Sequence, residues 1–132
     1  MTCIGIAHAG ILVSDLDRSL AFYVDALGLR RHEQRPDLGY RGAWLDLPSG
    51  QQIHLLELKE PGAPQSAAPG RDYHLAIHVR AVDDVRRALS RIQVPFIASR
   101  SGRNAIFCRD PDGNALEFIE SAAGEELQAT RI

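Results

Sequence analysis

Apolar residues in GIAHAGILV (5–13) run too briefly for a helix and predict a first strand. From Ser14 the period changes. Leu16, Leu20, Tyr23, Val24 and Leu27 recur at helical spacing, Ser14 and Asp17 fit a capping box, and Gly28 suits the stop. Leu29–Arg35, Tyr40–Leu47 and Gln51–Leu58 read as three further strands, and EPGAPQSAAPG (60–70) reads as a linker. The order then restarts with a strand in DYHLAIHV (72–79). Val82, Val85, Ala88, Leu89 and Ile92 mark a second helix, and strands follow at Pro95–Ser99, Asn104–Arg109 and Asn114–Glu120. The polar ending SAAGEELQATRI (121–132) reads as peripheral.

A repeated order of elements predicts repeated residues. An offset of 66 brings His8 onto His74, Ile11 onto Ile77, Val13 onto Val79 and Asp17 onto Asp83. An offset of 63 lays PSGQQIHLLE on PDGNALEFIE, so that Gly50 meets Gly113, His54 meets Glu117 and Glu57 meets Glu120. The difference of three residues fits inside a loop. The pattern is one α+β domain over residues 1–132, with module one at about 4–59, a linker at 60–70, module two at about 71–120 and a tail at 121–132.

The repeat singles out four residues. Glu117 shares its strand face with Ala115 and Ile119, where a bare carboxylate is costly without a partner or a cation. Its counterpart is His54, and the other repeat-equivalent pair is His8 and His74. His74 and His78 sit four apart, which on a strand is about 13 Å, too far for one ion at ~2.1 Å from each nitrogen. The offset selects His74, because His78 falls on Leu12. Three imidazoles and one carboxylate suit a divalent Zn, Ni, Co, Fe or Mn ion. His32 reads as a half-exposed or hydrogen-bonded residue, Glu57 as a structural ion-pair residue and Glu120 as solvated.

Bulk properties narrow the partners. The chain has 132 residues, 45% hydrophobic and 24% charged, with a formal net charge of -2. That balance makes no electrostatic case for nucleic acid or an anionic membrane surface. The N-terminal residues lack a signal-peptide pattern and no apolar run approaches a membrane span, so the expected location is cytoplasmic. Cys3 and Cys108 form no metal-type spacing and read as reduced thiols.

With His8 in HAGILVSDLDRSLAFYVDALGL, His54 in QIHLLE, His74 in YHLAIHV and Glu117 in DPDGNALEF, the sequence resembles the vicinal oxygen chelate superfamily. This is the glyoxalase/bleomycin resistance/dioxygenase group, and the resemblance spans about residues 4 to 120. It implies two βαβββ modules whose curved, incompletely closed mixed sheet forms a metal cup. Ligands come from the first and fourth strand of each module, here His8, His54, His74 and Glu117. It also implies a homodimer, with the cup shared between two chains in some members. At the position of His54 the glyoxalase and epimerase branches often carry glutamate or glutamine, so this histidine is a departure.

Three functions follow from the resemblance. One is a glyoxalase-like lyase or isomerase acting on a small molecule that chelates the metal through vicinal oxygens, with Glu117 moving the proton. Another is an iron-dependent dioxygenase using His8, His74 and Glu117. The third is a non-enzymatic ligand-binding protein of the bleomycin-resistance type, against which a complete ligand set counts. Arg41, Arg100 and Arg103 are candidates for binding a substrate anion, and Trp44 and Phe107 for lining the pocket or filling the core.

Overall fold

The structure is a computed structural model that describes residues 2, 3, 5–59, 69 and 73–121. The linker (Pro69 aside), nearly all of the tail and the start of the 72–79 segment lie outside the described residues. Strands β1 (His8–Val13), β2 (Arg30–Arg31), β3 (Gly42–Asp46) and β4 (Gln52–Glu57) belong to module one. Strands β5 (His74–Val79), β6 (Phe96–Ala98), β7 (Ala105–Arg109) and β8 (Ala115–Glu120) belong to module two. Each set makes a four-stranded mixed sheet, in the orders β1-β4-β3-β2 and β5-β8-β7-β6. In both the first pair is parallel and the other two are antiparallel. The fold is therefore the expected α+β arrangement of two βαβββ units.

Register repeats as well as topology. Gly10 stands opposite His54 in the first sheet and Ala76 opposite Glu117 in the second. Trp44 and Phe107 hold matching places on the neighbouring strands, opposite His54 and Glu117. Gly50 and Gly113 share a positive φ, 85° and 86°, in the turns that lead into β4 and β8. A Cβ is strained there, which explains why glycine holds both repeat positions.

Three expected elements change by more than one or two end residues. The first strand begins at His8 rather than Gly5, and the 29–35 segment contributes only Arg30–Arg31 to the sheet. The first helix is a short α-turn, α1 (Leu16–Leu20), that runs into a π-helical stretch over Ala21–Ala26. Its cap is Asp15, whose Oδ1 accepts from Arg18 N at 3.1 Å, and not Ser14. Ser14 is instead held by Asp112, which accepts from both its backbone N–H and its hydroxyl.

The second helix, α2 (Val82–Arg91), buries Val82, Val85 and Leu89. Each helix also starts on a carboxylate of its own sheet. Glu57 Oε2 accepts from Leu16 N at 2.7 Å, and Glu120 Oε2 accepts from Val82 N at 3.1 Å. Glu57 pairs with Arg41 as well, at 3.2 Å. Glu120 is exposed, but the expectation that it is merely solvated is incomplete: it satisfies an N-terminal amide of α2, the role Glu57 has on α1.

One face of each sheet is closed. Ile11, Val13, Ala43, Leu45, Ile53 and Leu55 join Ile77, Ile106, Cys108, Leu116 and Phe118 in a single hydrophobic cluster with the helix residues. Burial, then the nearby Asp110 charge, pushes the Cys108 thiol up to about 12, so it behaves as a core hydrophobe. Cys3 is exposed.

The modules are tied at the β7–β8 turn. Tyr23 Oη donates to Asp110 Oδ2 at 2.7 Å, and Asn114 Nδ2 donates to the Leu12 carbonyl at 3.0 Å. Asp110 also accepts from the backbone of Asp112 and Asn114, each at 2.9 Å. Burial and the Asp110 charge raise the Tyr23 phenol well above its ordinary range, so it remains a donor. Tyr23→Phe is expected to lower stability by about 1.5–3 kcal/mol, the usual loss of a hydrogen bond to a charged group, measured by urea unfolding. An unchanged midpoint would show that this tie contributes nothing.

Candidate metal centre

The other face of each sheet carries the four predicted ligands, two to a sheet. On the first, the His8 and His54 rings stack with centroids 3.9 Å apart and planes 12° apart. Trp44 stacks on the other side of His54 at 4.5 Å and 9°. On the second, His74 Nε2 lies 3.4 Å from Glu117 Oε2, and Phe107 meets the His74 ring edge-on at 5.5 Å. Strand alternation places these residues on the open faces: Ile53, Leu55, Leu116 and Phe118, one position from His54 and Glu117, fill the core, and His8 and His74 have the opposite parity to buried Ile11 and Ile77 on their own strands.

Glu117 is 3% exposed, in keeping with the expectation of a carboxylate buried among apolar residues. Its contacts are long: His74 at 3.4 Å and Arg103 Nη2, to Oε1, at 3.5 Å. Charge-assisted bonds are ordinarily about 2.7–2.9 Å. Burial, followed by the charges of His8, Arg35 and His32, depresses the His54 pKa, which favours the neutral ring a metal requires.

Within one chain the four predicted ligands stand as two pairs rather than one group. Among the described residues, no three His, Cys, Asp or Glu side chains gather as a metal site. The two pairs lie on separate sheets, tied through a common core on the faces opposite to them. The His8–His54 stack also cannot grip an ion as it stands. A metal lies near the plane of each imidazole it binds, and planes only 12° apart do not meet near the rings. His8 is exposed, so rotation of its ring resolves the conflict. The donor set, three imidazoles and one carboxylate, fits a borderline divalent ion.

Other candidates sort themselves. Arg41 is engaged with Asp17 and Glu57. Arg103 reaches Glu117, and Arg100 is exposed in the same loop. His78 Nδ1 lies 3.2 Å from Ser121 Oγ, outside the His74–Glu117 pair. Trp44 lines the ligand face rather than filling the core.

Two residues that the sequence reading passed over stand beside the site. His54 Nε2 lies 2.9 Å from Gln52 Oε1, and Gln52 Nε2 donates to Asp46 Oδ1 at 2.8 Å. His32 Nδ1 is 2.9 Å from Asp46 Oδ2, so His32 is hydrogen-bonded as expected, but within a chain that ends on His54. These bonds from Gln52, then His32, lower the Asp46 pKa. The shared parity of Gln52 and His54 was the available signal. Beyond His32 opens a cleft of about 440 Å³ lined by Arg31, His32, Glu33, Arg35 and Gly42.

The family model described as the Glyoxalase/Bleomycin resistance protein/Dioxygenase superfamily matches residues 5–118. The chain is 33% identical over 124 residues to a lactoylglutathione lyase of Haemophilus influenzae, covering 88% of this chain and 92% of that protein. It is 26% identical over 136 residues to a catechol-2,3-dioxygenase of Bacillus subtilis, covering 96% of this chain but 45% of that protein. A solved glyoxylase/bleomycin resistance protein/dioxygenase domain from Frankia sp. EAN1pec superimposes with a TM-score of 0.71 at 27% identity. That superposition covers 93% of this chain and 96% of the other.

Proposed function

The chain belongs to the glyoxalase/bleomycin resistance protein/dioxygenase superfamily, and from that premise we propose that it is a divalent-metal-dependent lyase or isomerase of the glyoxalase type. Its substrate is a small molecule that chelates the metal through vicinal oxygens. The observation that carries this reading is Glu117: a carboxylate 3% exposed, beside His74, whose contacts of 3.4 and 3.5 Å leave charge for a cation to balance. The relatedness to a lactoylglutathione lyase supports the same chemistry.

His8, His54, His74 and Glu117 hold the ion, and the site is completed by a second copy of the chain. β1 and β5 are edge strands of their sheets, and exposed Ile6, Leu12 and Tyr73 lie on or next to them. An uncovered edge with apolar neighbours suits pairing. Setting β1 of one copy beside β5 of another brings the His8–His54 pair towards His74 and Glu117. A two-fold dimer made this way contains two such sites.

When bound, the ion supplies Lewis acidity to the substrate oxygens. Glu117 takes the proton: of its two carboxylate oxygens, Oε2 faces His74 and Oε1 faces Arg103, so one can serve the cation while the other serves the substrate.

Metal analysis of protein purified without added metal comes first in the test. The second measurement is solvent deuterium entry at the carbon next to the thioester carbonyl of lactoylglutathione, with and without oxygen. Exchange that requires nickel, cobalt or zinc and ignores oxygen is expected. Turnover of a catechol that strictly needs ferrous iron and dioxygen would replace this reading with the dioxygenase one, which the Bacillus subtilis relative favours.

A further inference from the structure

From the bonds around His54 we infer that Gln52, braced by Asp46, is a positioning residue that fixes the His54 imidazole as its Nε2–H tautomer and presents Nδ1 to the metal. The inference rests on the reading of His54 as a ligand and adds which nitrogen binds and what holds it.

The tautomer follows from the order of the bonds. Asp46 is a partly exposed carboxylate, an acceptor at neutral pH, and it takes a hydrogen bond from Gln52 Nε2 at 2.8 Å. That contact decides the orientation of the amide. Turned over, Gln52 would point Oε1 at Asp46 Oδ1, acceptor against acceptor. With its nitrogen committed to Asp46, the amide offers His54 only an oxygen, at 2.9 Å. An oxygen there requires a proton on His54 Nε2, and the neutral ring then keeps its lone pair on Nδ1. His32 Nδ1 steadies Asp46 through the other carboxylate oxygen, at 2.9 Å.

The chain of contacts orients and does not conduct. An amide cannot pass a proton without becoming an imidic acid, so Gln52 blocks proton movement between His54 and Asp46. Ring rotation is also opposed by Trp44, stacked on His54 at 4.5 Å. His8, exposed on the opposite face of His54, is therefore the ring that turns when an ion binds.

Module two shows why such a device belongs to module one alone. Under the offset of 63, Asp46 and Gln52 correspond to Arg109 and Ala115, which cannot make these contacts. Arg109 instead donates to the Gly113 carbonyl at 2.9 Å. The ligand in module two is Glu117, whose carboxylate presents an acceptor oxygen in either orientation. An imidazole in the same place has one acceptor and must be told which way to face.

The experiment uses protein labelled with ¹⁵N on histidine. In the metal-free dimer, His54 is expected to show the Nε2–H tautomer with a slowly exchanging Nε2 proton. After loading with ¹¹³Cd, coupling is expected to Nδ1 of His54. Gln52→Leu is expected to speed exchange of the Nε2 proton and weaken cadmium binding about tenfold. Asp46→Asn keeps Gln52 but frees its amide to turn over, and is expected to give a mixture of tautomers. A wild-type Nε2 proton that exchanges freely, cadmium coupling to Nε2, or unchanged cadmium affinity in Gln52→Leu would overturn the inference. Cadmium that couples to neither nitrogen of His54, with the Nε2 proton still protected, would instead overturn the ligand assignment on which it rests.

Discussion

Glu117→Gln is expected to cost about a hundredfold or more in metal affinity while the metal-free protein becomes more stable. The two effects have one cause. Glu117 is 3% exposed, and its contacts to His74 and Arg103, 3.4 and 3.5 Å, are too long to repay the desolvation of a carboxylate. Glutamine keeps the shape, removes the charge and relieves that cost, but offers an ion only a neutral oxygen. Calorimetric titration with nickel or zinc reads the first effect and thermal unfolding of metal-free protein reads the second. A structural ion-pair residue would behave in the opposite way: the variant would bind metal like the wild type and unfold at a lower temperature. The result therefore separates a site residue from a packing residue.

Much of this arrangement was legible because each module repeats its physics. Apolar residues at Ile53, Leu55, Leu116 and Phe118, all buried in the structure, marked the strands, and parity set His54 and Glu117 on the opposite face of each. Nearly equal offsets, 66 residues from His8 to His74 and 63 from His54 to Glu117, made the pairs visible in the sequence.

What escaped depends on contacts between segments. Ser14 resembles a cap, yet Asp112 of the other module competes for it, so Asp15 takes the cap position. No local pattern contains that competition. Glu120 looked solvated because its partner, Val82 N, is set by where α2 lands on the sheet. Gln52 and Asp46 required the hairpin register, which pairs them directly across β3 and β4. The separation of the four predicted ligands into two pairs is a tertiary fact. It comes from the shared core and the Tyr23–Asp110 and Asn114–Leu12 bonds that hold the modules together.

Mixing two inactive variants is expected to restore activity. His8→Ala removes a proposed ligand from module one and His74→Ala removes one from module two, so on that reading each protein alone has no complete site. If every site joins module one of one copy to module two of the other, a mixed dimer contains one site with both defects and one with neither. Random reassortment makes half of the dimers mixed, and activity should recover to about a quarter of the wild-type level. The same fraction of sites should bind metal stoichiometrically. If instead each chain builds its own site, every site in the mixture still lacks a ligand and nothing returns. Unfolding and refolding the two variants together, rather than simply combining them, ensures exchange of subunits, and a doubly substituted chain mixed with wild type gives the control. Failure of recovery after demonstrated exchange would place the four ligands within one chain. It would then require the two sheets to leave the arrangement in which Tyr23 and Asp110 join them.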